Sequence, residues 1–220
     1  MILAVHGGKG GVGKSTVALE LAAVLGAVAV DADLGMADLP TARGPDLHDV
    51  LAGRATAVEA VREGGAVDVL PCGRTLAGAR ACDLARLGDA LDDVARAYGD
   101  VVVDCAAGMR ADVGVPLAVA DACVVVTAPE RPALADAIRA RELARSFDAG
   151  LAVVAYNRAD RAPEAVERAL GAPAIAVPDD DAVTSARRAG LPVTAVFPDA
   201  PASEAFGRLA EAVRSCGLSG

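Results

Sequence analysis

Short apolar runs recur along the chain, each bounded by glycine, proline or charged residues. The first occupies residues 1–5 and leads straight into a group of glycines. A second, 27–30, ends at Asp31, and others lie at 67–70, 101–103, 123–126, 151–155 and 174–177. These runs are continuous rather than alternating, as strands covered on both faces require. Between them the period changes to that of a helix. Leu84, Leu87, Leu91 and Val94 form one apolar face, with Asp83, Asp89, Asp92, Asp93 and Arg96 on the others. Residues 15–25 read as a helix closed by Gly26, and 134–147, 163–170, 181–189 and 203–214 as further helices. Strand and helix in alternation predict an α/β architecture, a mostly parallel sheet of about seven or eight strands with helices on both faces. No repeat, low-complexity tract or linker interrupts the pattern, so residues 1–220 are expected to form one domain.

The glycines after the first run carry chemistry. Gly8-Lys9-Gly10-Gly11-Val12-Gly13-Lys14-Ser15 fits the P-loop pattern G-x-x-x-x-G-K-[ST], between a strand and a helix as that loop demands. Residues 10–13 would turn backbone N–H groups inward around phosphate oxygens, and the helix N-terminus adds its dipole. Lys14 is placed to reach the β- and γ-phosphates, the Ser15 hydroxyl to ligate Mg²⁺, and Thr16 to bond the α-phosphate. The expected ligands are ATP or ADP with Mg²⁺.

Composition sharpens this reading. The chain contains two lysines, Lys9 and Lys14, and both lie in that loop. Asn157 is its one asparagine, and it has no glutamine. In a chain so depleted, the survivors are candidates for chemistry. The net charge of −9 offers no basic footprint for a phosphate backbone, which disfavours nucleic acid as a partner. Acids that are mostly Asp, cations that are nearly all Arg, and abundant Ala and Val suit a salt-rich cytosol, and suggest a halophilic source. The apolar runs are too short to span a bilayer. The start lacks the basic region and cleavage site of a signal peptide, so the protein is expected in the cytoplasm. Cys72, Cys82, Cys105, Cys123 and Cys216 are odd in number and widely spaced, which reads as small buried hydrophobes rather than disulfides or a zinc site. His6 and His48 stand apart without metal-ligand spacing and read as ordinary packing residues.

Lys9-Gly10-Gly11-Val12-Gly13-Lys14-Ser15-Thr16 resembles the deviant Walker A loop of the MinD/ParA branch of P-loop ATPases, and its archaeal MinD-like members most of all. The resemblance implies that Lys9 crosses a sandwich dimer to the nucleotide of the partner subunit. Asp31-Ala32-Asp33-Leu34-Gly35 resembles the family's switch I, D-x-D-x-G. It implies that Asp33 positions the attacking water and that Asp31 lies near the metal. Residues 100–108 resemble Walker B followed by switch II, with Asp104 delivered to the Mg²⁺ shell. There the usual D-[ST]-P-A-G is replaced by Asp104-Cys105-Ala106-Ala107-Gly108. Residues 153–158 match a strand ending in Asn-Arg. Asn157 offers the donor and acceptor that an adenine edge needs, Arg158 is placed to stack on the ring, and Pro178-Asp179 resembles the segment lining the base pocket. Asp38 stands where relatives often carry Asn and receives no role.

The resemblance runs from the first strand to the last helix and implies slow, regulated ATP hydrolysis, an ATP-bound homodimer and an unidentified protein partner. One departure concerns the end of the chain. Typical MinD proteins finish in a basic amphipathic helix that attaches to membrane. Here Phe206, Leu209 and Val213 form a core-facing stripe, and the tail 215–220 has no cation. Direct membrane binding is therefore disfavoured, and recruitment to poles or membrane would need a partner. A spatial switch of the MinD type is the expected function. A ParA-like DNA-partitioning ATPase would need a basic surface, and an iron–sulfur carrier ATPase would need paired cysteines.

Overall fold

Strand β1 (Ile2–His6) lies in the middle of a seven-stranded sheet of order β3-β2-β4-β1-β5-β6-β7. The computed structural model describes residues 1–40, 43–108 and 111–216. Along the chain follow α1 (Lys14–Leu25), β2 (Val28–Ala32), α2 (Leu47–Leu51), α3 (Ala57–Ala60), β3 (Val69–Leu70), α4 (Leu76–Ala81) and α5 (Leu87–Tyr98). Then come β4 (Val101–Cys105), α6 (Ala111–Val119), β5 (Ala122–Thr127), α7 (Arg131–Ser146), β6 (Gly150–Asn157), α8 (Glu164–Leu170) and β7 (Ala174–Val177). The chain closes with α9 (Asp181–Arg188), α10 (Val193–Val196) and α11 (Pro201–Ser215). Every pairing between named strands is parallel, so the sheet is of the expected kind.

The period of two sorts the strand residues between two covers. Leu3 and Val5 of β1, with Val102, Val124 and Val153 of its neighbours, pack under Val17, Leu21, Phe206, Leu209 and Val213 of α1 and α11. Ile2 and Ala4 face the other way with Val28, Val30, Val101 and Val103, against Leu51, Leu87, Leu91, Val94 and Leu117. Over β5 and β6 the cover on that second face is α7 and α8, through Ala137, Ala140, Val166 and Leu170. Both faces being dry explains why the strands read as continuous apolar runs.

The differences from the sequence expectation have physical causes. β4 and β6 run two residues past the apolar stretches because Asp104, Cys105, Tyr156 and Asn157 still pair with neighbouring strands. β3 pairs only over Val69 and Leu70. α2, α3, α4 and α10 are one to two turns long, too short to show a helical period. α2 and α3 do carry local start signals, the reciprocal caps Asp46 with Asp49 and Thr56 with Glu59. α6 is apolar nearly all round and contains Pro116, so it shows neither a polar face nor a helical composition.

The stripe Phe206, Leu209 and Val213 is buried as expected. Residues 217–220 of the expected anchorless tail lie outside the described residues. Among those described, no helix is long and apolar enough to cross a membrane.

Leu91 on α5 is fully buried in the second cover, far in sequence from the glycine-rich loop after β1. Replacing it by Ala should cost about 2–5 kcal/mol through lost burial and a residual cavity. Urea denaturation would read this as a lower midpoint with an unchanged slope. A midpoint equal to that of the wild type would contradict the packing described.

Candidate functional site

The loop after β1 is fixed by close backbone approaches as much as by its own turn. Gly13 caps α1 at φ 97°, a left-handed conformation that favours glycine. A Cβ there would lie 2.2 Å from Nδ2 of Asn157, and that amide donates to the Val12 carbonyl at 2.8 Å. The end of β6 is thus latched to the loop. On the other side, a Cβ on Gly8 would lie 2.2 Å from the backbone oxygen of Asp136 in α7. Lys14 follows at the first position of α1 and is only 8% exposed, and no carboxylate pairs with it among the described residues. A nearly buried ammonium at a helix N-terminus, ringed by loop amides, is a seat for an anion. Lys9, Gly10 and Gly11 stand exposed on the outer turn of the same loop.

Parallel register brings two carboxylates beside this seat. Asp31 of β2 pairs with Asp104 of β4, and Asp104 pairs with Val5 of β1. Side chains paired across parallel strands share a face, here the face that α1 covers. Asp31 is fully buried. Its Oδ1 accepts from the Asp33 amide at 3.2 Å, and its Oδ2 accepts from the Asp38 and Leu39 amides at 3.0 and 3.1 Å. Its carboxylate therefore holds the loop after β2 closed. Burial pushes its pKa up to about 6 against those three hydrogen bonds, and the Asp33 charge adds to the rise. Asp33 itself accepts at Oδ1 from the Gly35 and Met36 amides, at 3.3 and 3.1 Å.

Asp104 is 1% exposed, and neither of its oxygens has a hydrogen-bond partner of good geometry. Burial pushes its pKa up to about 8. The neighbouring Ser15 hydroxyl and Lys14 oppose that rise, and Asp31 and Asp33 reinforce it. An orphaned carboxylate facing a serine hydroxyl is a donor set suited to a small hard cation such as Mg²⁺. The Ser15 hydroxyl lies beside Asp104 and at a long 3.5 Å from Asp38 Oδ2, within reach of an ion held there. Asp38, given no role from the sequence, thus lies at the site.

A cleft of about 350 Å³ opens from the loop along α1. Gly11, Gly13, Lys14, Ser15 and Thr16 line it together with Asn157, Arg158, Pro178 and Asp179, so the structure gathers these expected residues into one cavity. Lys9, Asp31, Asp33 and Asp104 are not on its wall. Asn157 spends one N–H on Val12, which leaves a second N–H and its carbonyl oxygen. Arg158 adopts φ 58° at the strand end and is exposed.

Sequence reasoning missed Glu20, Arg74, Thr184 and Arg187 on the cleft wall. Val183, Thr184 and Arg187 share one face of the helix that follows Pro178, a spacing visible in the sequence. Arg74 had no such signal. Glu20 is buried on α1 and accepts from the Val193 and Thr194 amides at 2.6 and 3.1 Å and from the Thr194 hydroxyl at 2.9 Å. It ties the loop helix to α10.

The cysteines divide. Cys72, Cys105 and Cys123 are buried, Cys82 is half-buried, and Cys216 is exposed, contrary to its reading as a core residue. It lies one residue beyond α11, and its thiol donates to the Ala152 carbonyl at 3.3 Å. Burial pushes the Cys105 thiol well up, which leaves it unreactive. Among the described residues no group of His, Cys, Asp or Glu is arranged to hold a metal by itself. His6 is fully buried at the end of β1. Burial and the Lys14 charge lower its pKa to about 4, so it is neutral at pH 7.

The two raised carboxyls make stability depend on pH. Folded Asp104 and Asp31 keep protons that the unfolded chain releases near pH 4. Stability is therefore highest below that pH and is lost as pH rises toward 8, by about 1.4 kcal/mol per unit for each group still protonated only in the folded state. In metal-free buffer at constant salt, thermal midpoints should fall between pH 5 and 8. Asp104→Asn should flatten the fall between pH 6 and 8 and melt higher than wild type at pH 8. A wild-type midpoint that rises over this range would show the sign to be wrong.

Comparison with known proteins agrees with this geometry. Residues 3–193 match the CobQ/CobB/MinD/ParA nucleotide binding domain. An uncharacterized ATP-binding protein of Methanocaldococcus jannaschii is 32% identical over 97% of this chain and 88% of its own length. The crystal structure of the cell division ATPase MinD of Pyrococcus furiosus superposes with a TM-score of 0.90, at 28% identity, over 97% of this chain and 98% of that one. The septum site-determining protein MinD of Pyrococcus horikoshii, solved with Mg-ADP, gives 0.90 at 27% identity over 99% and 96%. The chain belongs to the CobQ/CobB/MinD/ParA family of nucleotide-binding domains, in whose MinD/ParA branch the members are ATPases.

Proposed function

We propose that this chain is an ATP-driven switch of the MinD type, which closes as a homodimer around Mg-ATP, engages a protein partner and is released by hydrolysis. The observation that carries the reading is the division of labour between the two lysines of one loop. Among the described residues Lys14 is buried without an ion pair where the β- and γ-phosphates would lie, whereas Lys9 is exposed on the outer turn, away from its own cleft. A cation held out of its own site is available to a second copy of the site.

The loop amides of residues 10–13 and the Lys14 ammonium bind and orient the phosphate chain, and Thr16 bonds the α-phosphate. Asn157, Arg158, Pro178 and Asp179 receive the base. Ser15 and Asp104 would hold Mg²⁺, with Asp31 contributing its charge from the neighbouring strand rather than a free oxygen. That ion, when bound, neutralises charge on the β- and γ-phosphates. Asp33 orients the attacking water, which phosphoryl transfer needs more than it needs a strong base. Lys9 of the second subunit adds positive charge as the transition state forms. The Mg-ADP complex of the Pyrococcus horikoshii MinD supports the choice of nucleotide and metal. The net charge of −9 weighs against a DNA-partitioning role. A cytoplasmic location, with recruitment to poles or membrane through a partner, fits a chain with no membrane-crossing helix among its described residues.

Light scattering at high salt tests the switch directly. Wild type should be monomeric without nucleotide, and Asp33→Ala, slowed in hydrolysis, should accumulate as a dimer in saturating Mg-ATP. Lys9→Ala should bind ATP yet stay monomeric. Lys14→Ala should lose about 10–100-fold in nucleotide affinity, the worth of a charge-assisted contact. An Asp33→Ala protein that remains monomeric with ATP bound would sink the proposal.

A further inference from the structure

His48 has no part in the function proposed so far, yet its ring lies against the loop that carries Asp33. It sits on α2, 3% exposed, with Nε2 at 3.2 Å from the Leu34 carbonyl. A carbonyl only accepts, so this contact requires the proton on Nε2. The Cys72 sulfur lies 3.4 Å from the same nitrogen, and burial raises the Cys72 pKa far enough to keep it a neutral thiol. Nε2–H is therefore shared between a strong acceptor and a weak one. Nδ1, left with the lone pair, has no partner among the described residues.

The seat for this ring is built by glycines. A Cβ on Gly73 would lie 2.4 Å from Nδ1, and a Cβ on Gly78 would lie 2.7 Å from it. Any side chain at either position would push the imidazole away from Leu34. The loop after β3 and the first turn of α4 thus leave room for a histidine and for little else.

What the contact does follows from the planarity of the peptide group. The carbonyl of Leu34 and the N–H of Gly35 belong to one rigid unit. His48 holds the oxygen end, and Asp33 Oδ1 accepts from the nitrogen end at 3.3 Å. His48, the Leu34–Gly35 peptide and Asp33 form a chain in which each hydrogen bond polarises the next. Asp31 secures the same loop from the sheet side through the Asp33, Asp38 and Leu39 amides. With Leu34 held from the α2 side, the rotation of that peptide is restrained, and with it the Gly35 N–H that is one of the donors orienting the Asp33 carboxylate.

We infer that His48 is a positioning residue for Asp33, acting through the Leu34–Gly35 peptide. The inference rests on the reading of Asp33 as the group that orients the attacking water. His48 touches neither nucleotide nor water, so its loss should be felt in turnover rather than in binding.

The test has two readouts besides turnover. The chain has two histidines, so a long-range proton–nitrogen NMR spectrum of the wild type resolves both rings. His48 should show a proton on Nε2 and none on Nδ1, and the opposite tautomer would overturn the inference without any variant. Amide hydrogen exchange at Gly35 and Met36 should be protected in the wild type and faster in His48→Phe, which keeps the ring shape without a donor. His48→Gln, which keeps an N–H donor, should recover most of that protection. Under saturating Mg-ATP, His48→Phe should lose about tenfold in kcat with KM within about twofold of wild type, and His48→Gln should regain most of the rate. Unchanged exchange and unchanged kcat in His48→Phe, or a Gln variant no better than the Phe variant, would overturn it. If the wild type does not hydrolyse ATP, the functional reading fails, while the tautomer and the exchange pattern still decide the His48 link. If His48→Phe does not fold, the tautomer and the Gln variant decide it.

Discussion

Everything at the site depends on parallel strands in register at one edge of the sheet. Val5, Asp104 and Asp31 stand side by side on β1, β4 and β2, each at or near the end of its strand. That row sets the phosphate loop, an orphaned carboxylate and the anchor of the next loop at fixed spacing before any ligand arrives. It is costly to maintain, because two acids are buried beneath α1 and both prefer to keep their protons. A cation placed beside the two carboxyls would relieve that cost, which is the usual setting of buried acids at functional sites.

The loops on this edge are held by contacts between elements as much as by their own turns. Asn157 at the end of β6 donates to Val12, α7 crowds Gly8, and Asp31 gathers the amides of Asp33, Asp38 and Leu39. His48 adds a hold on the carbonyl side of the same loop. Groups on β2 and α2 thus help to hold the loop that carries Asp33, and the second of these lies beyond its own motif. Preorganisation of this kind would let a carboxylate act on a ligand without reordering its loop each time.

The apolar runs announced the strands because a parallel sheet covered on both faces tolerates no polar alternation, and the lysine content announced the loop because nothing else in the chain competes with it. Polar residues at strand ends hid the last turns of pairing in β4 and β6. Helices of one or two turns left no period to find. Asp38 and Arg74 reached the cleft without a signal of their own, since their place depends on how the loops after β2 and β3 fold back toward α1. The cysteines were legible as a group but not singly, and Cys216 lies exposed just past α11.

By itself the sequence determined the α/β alternation, the phosphate loop with its two lysines, and the order of the acidic strand ends, because these are properties of local pattern and residue type. The tertiary structure alone decided which carboxylates became neighbours, which of them was left without a partner, and that His48 reaches Leu34. Those facts depend on register, burial and the space two glycines leave beside a ring. None of them is encoded within one stretch of chain, because each is a distance between segments that only packing brings together.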